Sequence, residues 1–288
     1  MRFSLALLSL LLLAPSMASA QAPAPSADTL NLADFLRDDR FQRVKLSPKG
    51  TYVAATVPLT DDNKTVLVIL KPGQREPYGH VTLKETGTHV VDFWWVNDER
   101  LLFTVGERAG GLAAPVSVGE IWGTNADGSR QGIVAGARAN RGATRSSGKA
   151  MAEGVALSLV DTLSDNDDEV LVSVMPFGSG SLPFTSLERM NVYSGNRRPV
   201  ARAPIRVASF TTDHSGAVRF ASGLNDAFKS VLYHRANDNA PWELVNDESV
   251  SGRVMAAIDF DEGNVMAYLS AEETSGPDSV VALCPSRT

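Results

Sequence analysis

A hairpin that returns at a nearly constant interval constrains this chain more than any other feature. The stretch Phe41 to Leu70 reads FQRVKLSPKGTYVAATVPLTDDNKTVLVIL. It predicts two short strands joined by the turn Ser47-Pro48-Lys49-Gly50, then a third strand, Thr65 to Leu70, after a polar loop. Proline presets φ for such a turn, and glycine accepts the positive φ that closes it. The flanking residues are β-branched or alternate apolar with polar, which is the period of a strand and not of a helix.

The same unit recurs. First-hairpin turns fall at Gly50, Asp98, Asp168, Gly216 and Gly263, at spacings of 48, 70, 48 and 47 residues. Each is followed by an apolar strand: Tyr52 to Val57, Leu101 to Val105, Val170 to Val174, Val218 to Ala221 and Val265 to Leu269. Second turns at Lys71-Pro72-Gly73, Asn125 to Gly128, Tyr193-Ser194-Gly195 and Ala236-Asn237-Asp238 close the strands Thr65 to Leu70, Glu120 to Thr124, Leu187 to Val192 and Ser230 to His234. Four strands per unit at this period is the pattern of a β-propeller blade. The expectation is an all-β chain of four blades and a partial fifth. The fifth unit has Arg253 to Phe260, Val265 to Leu269 and Ser279 to Leu283, and no fourth strand. Such an arc should stay open, and its unpaired C-terminal edge should favour self-association. The long spacing of 70 is explained by Ala135 to Gly154, a run of Ala, Gly, Arg and Ser that reads as an inserted, solvated loop carrying Arg138, Arg141, Arg145 and Lys149.

The ends supply an address. Arg2, the apolar run Leu5 to Leu13 and the small residues Ala18-Ser19-Ala20 make a secretory signal with cleavage before Gln21. The apolar run is too short to span a bilayer, which takes about 20 residues. The expected organisation is therefore a signal peptide over 1–20, a leader with a short helix, Leu32 to Asp38, over 21–40, and a truncated propeller over 41–288, in a secreted, periplasmic protein. Without the signal, 26 basic face 33 acidic side chains, with no basic run that reverses the balance locally. Nucleic acid is excluded as a partner on that charge. Cys284 is the only cysteine, so the chain cannot form an intrachain disulfide.

The chemistry-bearing residue types do not assemble into a motif. His80, His89, His214 and His234 lie at no metal-ligand spacing. Asp165-Asn166-Asp167-Asp168-Glu169 offers oxygens to calcium but lacks the rest of an EF-hand loop and falls at a hairpin turn. Glu272-Glu273 reads as a charged loop. Trp94, Trp95, Trp122 and Trp242 fall on or beside strands, where they would wedge neighbouring blades. No catalytic residue, cofactor or metal ligand is assigned.

Two runs resemble a known family. ADFLRDDRFQRVKLSPKGTYVA, from Ala33, resembles the start of the propeller in bacterial secreted serine peptidases of the prolyl oligopeptidase family, of the dipeptidyl-aminopeptidase and acylaminoacyl-peptidase types. VVDFWWVNDERLLF, from Val90, with GEIWGTNADG after it, resembles the next blade. The resemblance covers Asp34 to about Leu283. It implies a propeller that gates the access of peptide substrates to an α/β-hydrolase domain bearing a Ser, Asp and His triad. That domain's G-x-S-x-G occurs nowhere here; Gly178-Ser179-Gly180-Ser181-Leu182 has the wrong spacing. No catalytic residue carries over, and the chain alone is expected to be no enzyme. The alternatives are a free-standing periplasmic propeller that binds a protein or small ligand, and a structural module of an envelope assembly.

Overall fold

The structure, a computed structural model, describes residues 40–284 apart from 60–61, 75, 111–112, 140–153 and 179–180. The expected signal, the expected leader and short helix, and most of the Ala135 to Gly154 run lie outside the described residues. Asp39–Thr288 forms one compact unit.

Strands follow one another in antiparallel meanders. The first contains β1 (Gln42–Leu46), β2 (Val53–Leu59), β3 (Lys64–Leu70) and the short β4 (Gly79–His80). The second contains β5 (Thr88–Trp95), β6 (Arg100–Glu107), β7 (Val116–Asn125) and β8 (Gly132–Ala135). In the third, β9 (Val155–Asp161), β10 (Glu169–Pro176) and β11 (Phe184–Asn191) lead into the long β12 (Arg197–Thr212). The far end of β12 opens the fourth, with β13 (Val218–Leu224), β14 (Ser230–His234) and β15 (Glu243–Asp247). The last is three-stranded: β16 (Met255–Phe260), β17 (Ala267–Ala271) and β18 (Ser279–Leu283).

The meanders are not five separate sheets. A single parallel pair, Thr65 with His89, joins β3 to β5, and β12 runs unbroken from the third meander into the fourth. The result is one sheet of eight strands, one of seven and one of three. β12 joins the two meanders because Arg206 pairs on one side with Phe184 and on the other with Leu224, and the strand changes partners through an irregular step at Val207, φ 50°.

The turns bear out the repeat with one correction. Gly50, at φ 72°, donates its N–H to Ser47 O at 2.8 Å; Gly216, at φ 77°, does the same to Asp213 O at 2.9 Å. In the last meander the left-handed position belongs to Asn264 (φ 57°), whose N–H meets Asp261 O at 2.9 Å, and not to Gly263. Asparagine tolerates this region because its short polar side chain bonds locally. The following strand accordingly starts at Ala267, two residues beyond the expected Val265. One helical turn, α1 (Glu248–Ser251), was not anticipated: Asp247 caps it through the Ser249 N–H and Gly252 ends it at φ 70°. A single turn is too short to leave a periodicity in the sequence.

Alternation along each strand feeds two cores, because successive side chains point to opposite faces. Leu101, Phe103 and Val105 of β6 join Leu67, Ile69, Phe93 and Trp95 between the first and second meanders, while Leu102 joins Val170, Val172 and Met190 between the second and third. Leu171 and Ala221 belong to the core of the third and fourth, and Phe220 with Leu232 packs on Phe260 and Leu269 of the last. Each meander is thus held by its neighbours and not by a core of its own.

Buried cations add polar ties across these layers. Arg100, 3% exposed, donates to Val192 O, Arg130 O and the Asn125 side chain, bridging β6 to the third meander. Burial pulls its pKa below the ordinary arginine value, although the Tyr193 ring opposes the effect. A Cβ at Gly123 would come within 2.2 Å of the same guanidinium, which leaves room there only for glycine.

Candidate functional site

The residues singled out in the sequence resolve into structural roles. Asn166 is the centre of the acidic run: its side-chain oxygen accepts the N–H groups of Asp168 and Glu169, as a turn residue does. Glu169 leaves the turn to meet Arg198 at 3.2 Å and Arg189 at 3.7 Å. Glu273 pairs with Arg253 and accepts from Ser279 Oγ at 2.7 Å, tying the last hairpin to β18. No group of three or more His, Cys, Asp or Glu side chains among the described residues could hold a metal ion. Trp95, Trp122 and Trp242 pack at the cores between meanders, and half-buried Trp94 lies 5.2 Å under the Lys45 ammonium.

Arg138 departs from the sequence reading. It is not a solvated loop charge: its guanidinium grips the buried Glu120 carboxylate at 2.8 and 2.7 Å. Arg141, Arg145 and Lys149 lie outside the described residues.

The histidines divide by burial. His214 sits in its turn, with Nε2 3.2 Å from Asp259 of the last sheet and its N–H on Asn264. His89 is buried with Nδ1 3.1 Å from Thr65 Oγ1, a hydroxyl–imidazole pair at catalytic distance. Its Nε2 has no partner among the described residues, so no third group orients the ring, and both side chains are closed to substrate. His234 is buried against Phe220, ring centroids 4.9 Å apart. Desolvation, helped by the Arg219 charge, pulls its pKa from 6.5 down to about 4. The folded state therefore keeps His234 neutral while the unfolded chain takes up a proton below pH 6.5. Stability should fall as pH drops from 6.5 towards 4, by at most about 3 kcal/mol at ~1.4 kcal/mol per pH unit. The His234→Leu variant should show a flatter loss across that window in chemical denaturation; an unchanged pH profile would contradict the assignment.

Two cavities mark the junctions of the first three meanders. One, of about 460 Å³, has Leu83, Val105 and Trp122 as apolar members and Lys84, Glu107 and Arg138 among its charged ones. The other, of about 370 Å³, lies where hairpin turns of successive meanders meet. There Asp98 accepts from Lys49 N–H at 2.9 Å and from the Thr51 hydroxyl, and Asn97 donates to Asp167 O at 2.7 Å. Partial desolvation opposes ionisation of Asp98, yet the hydrogen bonds from Thr51, Ser47 and Lys49 hold its carboxyl below the usual range. These contacts stitch each turn to the next. Neither cavity brings a nucleophile, a base and an oxyanion donor together.

A basic stripe, not anticipated from the sequence, lies on the third meander. β11 and β12 gather Arg189, Arg197, Arg198, Arg202 and Arg206 on neighbouring strands. The signal was present in Arg197-Arg198-Pro199-Val200-Ala201-Arg202-Ala203-Pro204-Ile205-Arg206, where the spacing of the arginines hides their convergence until Arg189 is placed opposite Arg198.

Comparison with solved structures places the fold. An oligogalacturonate lyase in complex with manganese aligns at TM-score 0.55 and 13% identity, over 86% of this chain and 67% of that one. The oligogalacturonate lyase of Vibrio parahaemolyticus aligns at 0.55 and 12%, over 85% and 66%. Prolyl oligopeptidase B of Galerina marginata, bound to a 35mer substrate, aligns at 0.53 and 10%, over 86% of this chain and 36% of that one. This chain thus spans about two thirds of the lyases and about a third of the oligopeptidase. No family model matches the sequence, and no curated protein matches it. At these identities the likeness is one of fold: the chain is nearly all β, and its structural neighbours include β-propeller proteins, among them those of prolyl oligopeptidases.

Proposed function

We propose that this chain is the non-catalytic propeller portion of a secreted, prolyl oligopeptidase-like serine peptidase, in which it narrows peptide access to an α/β-hydrolase active site. The observation that carries the reading is the meander repeat, packed face to face through four cores and alike in fold to prolyl oligopeptidase B. Each meander is then a blade: four, and a partial fifth made by β16 to β18. The outward faces at the two ends support an open arc. Val44 and Leu46 of β1 are 59% and 64% exposed, and Val280 of β18 is 68% exposed. Among the described residues β18 pairs only with β17, so its other edge would offer backbone groups to a second strand.

The lyase likeness favours a second reading, a free-standing periplasmic propeller that binds a protein or small ligand. One preparation of residues 21–288 separates them. The peptidase-module reading expects no serine labelled by a fluorophosphonate probe, no peptide or ester turnover, and association that grows with concentration in sedimentation. Turnover with matching serine labelling would sink the non-catalytic role. A monomer at every concentration would remove the open edge and shift weight to the free-standing propeller.

A further inference from the structure

We infer that Phe184, Arg202 and the cavity beside them bind an apolar carboxylate. Register on β11 and β12 sets Ser186 opposite Arg202 and Phe184 opposite Arg206. Both guanidinium groups lie over the Phe184 ring, at 5.0 Å for Arg202 and 4.8 Å for Arg206. They differ in commitment. Arg206 donates to Leu182 O at 2.7 Å and faces Asp226 at 3.5 Å. Arg189 and Arg198 share Glu169, Arg197 holds Glu188, and Arg219 holds Asp213. Arg202 alone in this stripe has no carboxylate and no hydrogen-bond acceptor among the described residues; its contact is the ring.

That contact prepares the group for an anion. A guanidinium stacked on an aromatic face is desolvated on that face and held in orientation, while its N–H fork stays free in the plane. The fork matches a carboxylate in a two-pronged geometry. Beside it opens a cavity of about 610 Å³ with walls of Pro176, Phe184, Pro199 and Val200, in which Ser186 and Arg202 are the polar members. Ser186 spends its hydroxyl proton on Glu188, which leaves Arg202 as the donor. No acidic side chain lines this cavity, whereas Asp226 lines the cavity on the Arg206 side and would repel an anion there. One positive charge and hydrocarbon walls suit a singly charged acid with an apolar body. A phosphate dianion would want more donors, and a sugar more hydrogen-bonding partners. In an acidic protein this is a place where an anion meets a cation with no acidic partner among the described residues.

Two sources share this chemistry: a free hydrophobic acid and the C-terminus of a peptide ending in an apolar residue. The site stands whether the propeller serves a peptidase or acts alone, since its test reads binding and not turnover. The mature chain is titrated calorimetrically with 3-phenylpropionate, with its amide, and with a short peptide ending in phenylalanine as free acid and as amide. The expected result is millimolar or tighter binding of at least one acid, and loss of about tenfold or more for the matching amide. Arg202→Gln should lose binding by the same factor with an unchanged melting curve, and Arg202→Lys should recover part of it, since charge returns without the fork. The free acid and the peptide acid tell the sources apart, and binding of either supports the site. Equal binding of acid and amide, wild-type affinity in Arg202→Gln, or no heat from any acid would overturn it.

Discussion

Replacing Arg138 by alanine is expected to cost about 3–5 kcal/mol at neutral pH, the range for breaking a buried ion pair from one side. The partner left behind decides the size. Glu120 is 2% exposed and stands on β7, whose Ile121 belongs to the core between the second and third meanders. Without Arg138 the carboxylate keeps, among the described residues, only the backbone N–H of residue 138, at 3.1 Å. Gly136 closes over it: at φ 129° its Cα side faces Glu120, and an added Cβ would lie 2.8 Å from Glu120 Cγ. Urea unfolding at pH 7 checks the size of the loss. The double change Glu120→Gln with Arg138→Met should restore most of the stability, because it removes the buried charge as well as its partner. A single variant within about 0.5 kcal/mol of wild type, the range of an ordinary surface change, would show the pair to be solvated.

That pair also shows where the sequence stops being legible. The hairpin turns were readable because they depend on local chemistry: Pro48 and Gly50, or Asp213 and Gly216, act on their own few bonds. Strand positions were readable because a period of two needs only neighbours, and Ser230–His234 and Ser279–Leu283 fall where alternation put them. Arg138 was not, because its partner lies 18 residues back on another strand and the glycine-rich text around it looks like any loop. Its burial is a property of the fold. The same holds for Phe184 with Arg202 and Arg206, which meet only once β11 and β12 are in register. The continuity of β12 was hidden for the opposite reason. Two prolines, Pro199 and Pro204, argue locally for a break, yet the strand absorbs them with a bulge between Leu187 and Glu188 opposite and with Val207 at φ 50°.

The second large effect is expected at Trp95. Its side chain, 7% exposed, lies in the core shared by the first and second meanders with Leu67, Ile69 and Phe103. Its ring stacks on Tyr52 at 6.0 Å and 15°, and its indole N–H reaches Lys45 O at 3.3 Å. Lys45 in turn holds Asp92 at 2.9 Å, so the indole and this ion pair together fasten β1 to the second meander. Truncation to alanine removes the largest side chain of that core and leaves a cavity that neighbouring strands cannot fill without losing register. The expected loss is about 3–5 kcal/mol. In a chain of this size that corresponds to a fall of about 10 °C in melting temperature. Because β1 is an edge strand among the described residues, Trp95→Ala should also expose the chain before Val53 to proteases under native conditions. The contrasting change is removal of residues 141–150, chosen to spare Arg138. Shortening a long connection changes closure entropy by only about 0.6 kcal/mol per halving, so this deletion should barely move the melt. Calorimetry of the two variants side by side is decisive. Equal falls in melting temperature would mean that the segment after Arg138 carries packing of its own, and that Trp95 is not the wedge between the first two meanders.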